Sequence, residues 1–268
     1  MGEENHQDPI PGIVLPVTVK RPSPLLLDGN ENLKRNGILQ WTIPAWAGKM
    51  DDGTRYNTCP SAGECVKICY ARTGNYVRFP GVRKRHQENL RFVLEDLAGW
   101  EKAMLAELAR PKMIGKYVRI HDAGDFFSAE YTAAWLRIMR QRPQTTFYCY
   151  TKEVLLFKEL VEPDPPANFK WCYSLGGKHD QLLDLETDRV CDVFPTEAAV
   201  WEAGWFSQEK NDLLAVEGPA PVGMGANNIQ HLKKLQGGRR LSEMQREADE
   251  AKRVRDARRP GRRSTGPS

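Results

Sequence analysis

The chain of 268 residues has a hydrophobic fraction of 40% and a net charge of +4. This composition excludes a wholly disordered chain and fits one sizeable α/β core or two small domains. No stretch approaches the roughly 18 uncharged apolar residues needed to span a bilayer, so we expect no membrane association. The polar start, MGEENHQDP, has no signal-peptide core, so we expect a cytoplasmic protein.

The predicted elements begin with an N-terminal leader. Residues 1–32 contain many prolines, which interrupt regular structure, so we expect an extended conformation there. Further along, hydrophobic alternation predicts strands, and apolar residues three and four apart predict helices. The predicted strands are residues 37–46, 117–121, 145–151, 169–174 and 190–194. The predicted helices are residues 80–110, 128–139, 155–161 and 179–185, and one that begins at Thr196.

The alternation of these strands and helices predicts the fold class. Strands separated by single helices imply βαβ units and a largely parallel sheet. Four or five such units indicate an open sheet or a partial (β/α) barrel, since a complete eightfold barrel usually needs about 250 residues. We therefore expect an α/β domain with mostly parallel strands over residues 33–236.

The C-terminal residues 237–268 form a predicted basic tail. Residues 239–263 hold ten Lys and Arg against five Asp and Glu, so most of the net charge lies in this segment. Their composition favours a solvated helix or a disordered tail. Contact with nucleic acid through phosphate neutralisation, or with a host protein, is the alternative.

Three cysteines, Cys59, Cys65 and Cys69, lie within eleven residues directly after the first predicted strand. Thiolates are the ligands that select iron–sulfur clusters and zinc. A zinc site prefers Cys-x2-Cys pairs and four protein ligands, and the chain has no such pair. Three ligands on one loop suit a 4Fe–4S cluster with one open iron, or a 3Fe–4S cluster. Zinc completed by a later residue, and three ordinary thiols, remain as alternatives.

Other chemistry-bearing residues follow the ends of the predicted strands. Ligands of parallel α/β proteins bind beyond the carboxyl ends of strands. The predicted cofactor-binding residues are therefore Asp125, Tyr150, Lys152 and Ser174. Each has a simpler reading: Asp125 can belong to a plain turn, and Lys152 can start the next helix. The three remaining cysteines, Cys149, Cys172 and Cys191, are predicted to pack in the core. The alternative is that one of them, Cys149 or Cys172, approaches the cluster.

The order of motifs TIPAW, TCP, CYARTGNY, RIHDAGDFFSAEYTAAW, FYCYTK and CYSLGG resembles the gene-product-88 family of actinobacteriophages, over roughly residues 33–230. That family is similar to the radical S-adenosylmethionine (SAM) superfamily. The resemblance implies a partial (β/α) barrel, a four-iron cluster on Cys59, Cys65 and Cys69, and a role for the aromatic Tyr70. The cysteine spacing differs from the superfamily's Cys-x3-Cys-x2-Cys, and its Gly-Gly-Glu-Pro segment is absent, which leaves SAM binding open.

Two functional hypotheses follow, and neither specifies a reaction. In the first, the chain is an enzyme whose open iron binds SAM or another small molecule. In the second, the cluster is structural or redox-active, and the tail contacts nucleic acid or a host protein. A zinc-stabilised scaffold is a third alternative. A phage-encoded protein of any of these kinds is expected in the host-cell cytoplasm.

Overall fold

The computed structural model describes residues 21–226 and 229–258 and shows a mixed α/β fold built on a mostly parallel sheet. The first twenty residues of the predicted leader and the last ten residues of the predicted tail lie outside the described part. Among the described residues, no helix is both long enough and apolar enough to cross a lipid bilayer.

The strands of the described residues are β1 (Leu27–Asp28), β2 (Ile38–Trp41), β3 (Ala47–Lys49), β4 (Arg55–Asn57), β5 (Tyr117–Ile120), β6 (Thr146–Thr151), β7 (Phe169–Ser174), β8 (Val190–Phe194), β9 (Phe206–Ser207) and β10 (Val222–Gly225). Eight of them form the main sheet in the order β1-β2-β5-β6-β7-β8-β10-β9. In this sheet only β1 and β2 are antiparallel, so the predicted parallel sheet is confirmed. β3 and β4 form a separate antiparallel hairpin.

The helices differ from the prediction in two places. The predicted helix 80–110 is two helices, because the Asp96 carboxylate caps the second one by accepting the Gly99 N–H at 2.8 Å. The predicted helix 179–185 is only a short turn. The α-helices are α1 (Glu31–Arg35), α2 (Cys65–Ile68), α3 (Gly74–Arg78), α4 (Pro80–Glu95), α5 (Leu97–Leu108), α6 (Ala129–Gln141), α7 (Val154–Leu160), α8 (Glu197–Glu202), α9 (Leu214–Glu217), α10 (Gln230–Gln236) and α11 (Leu241–Ala257).

The two faces of the sheet pack into separate cores. Side chains alternate along a strand, so Phe147 and Cys149 of β6 join the core that also contains Trp100 of α5 and Trp135 of α6. Tyr148 of the same strand faces the other way. It joins a smaller core formed with residues of α1 and α9. The cysteines Cys149, Cys172 and Cys191 are fully buried in these cores, as predicted.

Parts of the predicted leader and tail belong to the folded core. Leu25 and Leu26 are buried, and their N–H groups donate to the Glu107 carboxylate at 2.6 and 3.1 Å. Leu241 and Met244, in the first turns of α11, are also buried. The prolines of the leader and the polar composition of the tail conceal these short apolar anchors. α11 itself carries four basic and five acidic residues, so the tail's positive charge lies on either side of the helix.

Candidate functional site

A cavity of about 500 Å³ lies at the carboxyl ends of the parallel strands. Its wall is formed by the cysteine segment, by the ends of β5, β6, β7, β8 and β10, and by residues of α10 and α11. All seven site residues predicted from the sequence line this one cavity: Cys59, Cys65, Cys69, Asp125, Tyr150, Lys152 and Ser174. Cys149, Cys172 and Cys191 do not line it.

The cysteine loop, residues 58–70, is held in place by contacts from three other parts of the fold. The Ser61 N–H and hydroxyl both donate to the Glu153 carboxylate beyond β6, at 2.9 and 2.6 Å. The Glu64 N–H donates to Gln245 Oε1 of α11 at 2.8 Å. The Thr58 carbonyl accepts the Asp125 N–H at 2.8 Å. These contacts within the protein hold the loop in position without a ligand.

Buried thiols with nearby backbone donors characterise the loop. The Trp46 N–H donates to the Cys59 Sγ at 3.2 Å, and the backbone N–H groups of Ala71 and Arg72 approach the Cys69 thiol. Burial, with a contribution from Asp125, raises the pKa of Cys59 well above its usual value. Burial and the neighbouring Cys65 raise the pKa of Cys69 to about 11. Both thiols therefore hold their protons at neutral pH, and a metal that binds them must displace these protons.

The three thiols can be compared with the requirements of a zinc ion and of an iron–sulfur cluster. Zinc binds thiolate sulfur at about 2.3 Å, so four ligands of one zinc lie about 4 Å apart. Within residues 21–226 and 229–258, no three His, Cys, Asp or Glu side chains come together in a single-ion arrangement. In an iron–sulfur cluster each thiolate binds a different iron, and N–H donors to the sulfurs tune the centre. Three thiols on one loop, with such donors at Cys59 and Cys69, fit that group.

Asp125 ties the neighbouring strand ends together. Its carboxylate accepts the Thr151 hydroxyl at 2.7 Å, the Lys152 N–H at 2.9 Å and the Phe126 N–H at 2.8 Å. A carboxylate offers about four acceptor positions, so little capacity remains for a ligand. Burial raises the pKa of Asp125, against the opposing effect of these hydrogen bonds. Asp125 therefore links the end of β5 to the end of β6.

Lys152 is likewise committed to the protein. Its Nζ donates to the carbonyl of Ser174 at 2.8 Å, to the Ser174 hydroxyl at 2.7 Å and to the Leu175 carbonyl at 2.8 Å. An ammonium group has three protons, so all of its donors are used. Lys152 therefore joins the end of β6 to the end of β7, and a ligand of Lys152 would have to displace one of these contacts.

Tyr150 belongs to a charged cluster that the sequence did not reveal as a unit. Its hydroxyl donates to the Asp212 Oδ1 at 3.0 Å, and the Arg119 guanidinium lies 5.0 Å from its ring centroid. Arg119 also pairs with Asp212 at 3.3 Å. A charged residue inside the strand Tyr117–Ile120 was a usable signal for Arg119. No comparable local signal marks Asp212, which approaches Tyr150 only through the tertiary fold.

Two tyrosines connect the cysteine loop to the end of β5. The Tyr70 hydroxyl, next to Cys69, donates to the backbone carbonyl of Asp122 at 2.6 Å. The Tyr76 hydroxyl donates to the Asp122 carboxylate, and the rings of Tyr70 and Tyr76 are 5.6 Å apart. The aromatic residue that the family resemblance singled out is therefore an anchor for the loop.

His121, in the cavity wall, has one ring nitrogen without a hydrogen-bond partner among the described residues. The Tyr131 hydroxyl accepts the Trp41 Nε1–H at 2.7 Å and lies 2.9 Å from the His121 Nε2. An indole only donates, so the tyrosine proton is available to Nε2, which assigns the histidine proton to Nδ1. Nδ1 is buried without a partner among the described residues. Burial lowers the pKa of His121 to about 3, which keeps the ring neutral.

The backbone conformation of His121 is also unusual. Its φ of 65° lies in the left-handed region, which is uncommon for residues other than glycine. Strained backbone of this kind clusters at ligand sites. The Nε of Arg119 is a second buried donor of the cavity wall without a partner in the described part of the chain. Both side chains belong to the cavity wall.

Comparison with known proteins identifies relatives in bacteriophages. The sequence is 37% identical to the "Gene 88 protein" of Mycobacterium phage L5 over 102 residues, which cover 35% of this chain and 43% of that protein. It is 36% identical over 102 residues to the "Gene 88 protein" of Mycobacterium phage D29, which cover 35% of this chain and 42% of the relative. The alignments thus span less than half the length of these relatives. No solved structure gives a significant match.

The family assignment rests on a longer match than these pairwise alignments. The family model "Gene product 88" matches residues 24–257, which include every strand and helix described above. This confirms the family resemblance seen in the motifs. None of the matches names a radical SAM protein. The chain belongs to the gene product 88 family.

Proposed function

We propose that this chain is an iron–sulfur protein in which Cys59, Cys65 and Cys69 hold a 4Fe–4S cluster in the wall of the cavity. The observation that carries the proposal is that these three thiols line the same cavity as the predicted ligand-binding residues at the strand ends. The hydrogen-bond donors at Cys59 and Cys69 provide further support, because such donors tune cluster sulfurs.

We further propose a partial barrel similar to that of radical SAM enzymes. Six parallel strands, β2, β5, β6, β7, β8 and β10, are neighbours in chain order, as successive βα units require. The cysteine loop follows β2, the first of the six, and the cavity lies at their carboxyl ends. This is the position that the resemblance implies for the cluster. The proposed ligand of the open iron is a small molecule, with SAM as the first candidate.

The chain's own residues divide the remaining tasks. Asp125 and Lys152 hold the ends of β5, β6 and β7 in register, because their polar atoms are used within the protein. His121 and Arg119 also line the cavity, and their side chains are the proposed contacts of a ligand. When bound, the cluster would supply electron transfer and one iron able to coordinate a small molecule.

Anaerobic purification followed by iron, sulfide and zinc analysis tests the cluster. We expect about three or four iron and sulfide per chain and a broad visible absorption. Alanine substitution of Cys59, Cys65 or Cys69 should remove both. The matched control is Cys172→Ala, which removes a buried thiol outside the cavity and should keep the iron. Zinc without sulfide would overturn the proposal in favour of a zinc-stabilised scaffold.

Addition of SAM to the reduced, cluster-loaded protein separates the enzyme from a redox module. A change in the electron paramagnetic resonance spectrum that is weakened in His121→Asn would support a ligand at the open iron. Asparagine tolerates the left-handed backbone, so this variant removes the imidazole with little added strain. An intact cluster with an unchanged spectrum would favour a non-catalytic redox or sensory module.

A further inference from the structure

A second basic region lies beside the cavity, far in sequence from the C-terminal tail. Residues 72–91 contain six Lys and Arg and a single acid, Glu88, a net charge of +5. The net charge of the whole chain is only +4. These twenty residues run from the end of the cysteine loop through α3 and most of α4. Such a local excess creates a positive potential that attracts polyanions.

The accessible part of this region is a small surface, which we call the α3–α4 surface and define as Arg78, Phe79, Arg83 and Lys84. All four residues are exposed. Arg78 and Lys84 form no ion pair with any residue that the structure describes. Arg83 pairs with Asp51 at 3.2 Å, but both side chains are about 60% exposed, so this pair is weak. Three positive charges are therefore available to a partner.

An exposed aromatic ring lies among these charges. The Phe79 side chain is 49% exposed at the junction of α3 and α4, and the Arg78 guanidinium lies 6.0 Å from its ring centroid. Proteins that bind single-stranded nucleic acid combine such features, because cations follow the phosphates and aromatic rings stack on the bases. The ring and the charges on the α3–α4 surface match that combination.

The apolar side of α4 argues against a membrane as the partner. Leu90, Phe92 and Val93 of this helix are buried in the main core, and the exposed Leu94 is a single side chain rather than an apolar face. An interfacial membrane helix needs such a face. The helices that carry the surface also contact the cavity wall, since Tyr76 of α3 lines the cavity and its ring lies 5.6 Å from that of His86 in α4.

We infer that the α3–α4 surface binds single-stranded nucleic acid, with phosphates at Arg78, Arg83 and Lys84 and a base stacked on Phe79. This inference does not depend on the iron–sulfur cluster, so either can fail without the other.

Fluorescence anisotropy with a labelled oligothymidylate of about 30 nucleotides tests the inference on the full chain. Three phosphate contacts predict a slope of log K against log salt of about −2, or roughly a 20-fold loss of affinity between 50 and 200 mM salt. A triple variant should flatten this slope; it combines Arg78→Gln, Arg83→Gln and Lys84→Gln. Phe79→Ala should lower the affinity roughly tenfold and leave the slope unchanged.

The charge-matched control combines Lys102→Gln, Arg110→Gln and Lys112→Gln. These residues are exposed, lie in α5 and in the segment that leads to the amino end of β5, and do not line the cavity. The control should bind like the unmodified chain. The inference is overturned if the oligonucleotide does not bind at low salt, or if the control loses as much affinity as the triple variant. Binding to phosphatidylserine vesicles without oligonucleotide binding would overturn it in favour of a membrane.

Discussion

Glu64 and Gln245 lie 181 residues apart in sequence, and the backbone N–H of Glu64 donates to the Gln245 Oε1 at 2.8 Å. Glu64 immediately precedes Cys65, and Gln245 lies in the first turns of the C-terminal helix α11. The C-terminal helix therefore supports the segment that carries the proposed cluster ligands. Segments that resemble a solvated tail in sequence thus contribute directly to the candidate site.

Substitution of Gln245 tests this support. Gln245→Ala leaves the partly buried Glu64 N–H without its acceptor, so we expect a loss of about 1–2 kcal/mol in the free energy of unfolding. Urea denaturation followed by circular dichroism measures this loss. Arg246→Ala, at the exposed neighbouring position, is the control and should change the stability little. Equal stabilities of the two variants would show that the contact does not hold the loop.

The hydrogen-bonded chain of Trp41, Tyr131 and His121 makes a second prediction. Tyr131→Phe conserves volume but leaves the buried Trp41 Nε1 and His121 Nε2 without partners, so we expect a loss of about 2–4 kcal/mol. Tyr117→Phe removes a hydroxyl whose contact with Glu217 is 3.5 Å long and exposed, and should cost less than about 0.5 kcal/mol. Thermal unfolding of both variants compares them; similar melting temperatures would contradict the hydrogen-bond assignment.

The three contacts of the Lys152 ammonium group predict a large effect of its removal. Lys152→Met leaves the Ser174 and Leu175 carbonyls without their donor, and we expect a loss of about 3 kcal/mol. Lys178→Met removes a lysine whose single contact, with the Pro60 carbonyl, is exposed, and should have a small effect. Chemical denaturation at neutral pH gives both values. A mild effect of Lys152→Met would mean that the strand ends are held mainly by Asp125.

The stability should also depend on pH through Glu153. Burial, with a contribution from Asp125, raises the pKa of Glu153 to about 7 from the usual 4.5. Between these pH values the folded protein keeps a proton that the unfolded chain releases. The contribution of Glu153 to the free energy of unfolding is therefore full below pH 4.5 and is lost as the pH rises to about 7. Its size is on the order of 3 kcal/mol.

Urea unfolding at a series of pH values, compared between the unmodified chain and Glu153→Gln, measures this contribution. The variant should show a flatter profile in this window, since it has no proton to lose. Glu159→Gln, on the exposed side of α7, serves as the control and should keep the original profile. If all three profiles have the same slope, Glu153 is not the group responsible.

Some of the candidate site follows from local sequence. The cysteine cluster is a local pattern, and the residues after β5, β6 and β7 are adjacent to predicted strands. Because parallel strands end at the same edge of a sheet, the sequence sufficed to predict that Asp125, Tyr150, Lys152 and Ser174 would lie together. The hydrogen-bond partners of these residues could not be predicted from the local sequence. Lys152 and Asp125 bond to groups on neighbouring strands, and those groups come close only in the folded sheet.

The sequence by itself determined the α/β class, the mostly parallel sheet and the three-thiol loop, because hydrophobic period and residue spacing are local properties. Only the tertiary structure decided that Asp212 meets Arg119, that Gln245 supports the cysteine loop and that Leu25 belongs to the core. The physical reason is the same in each case. A single ion pair, hydrogen bond or buried side chain between distant segments leaves no periodic signal, so it becomes visible only when the chain is folded.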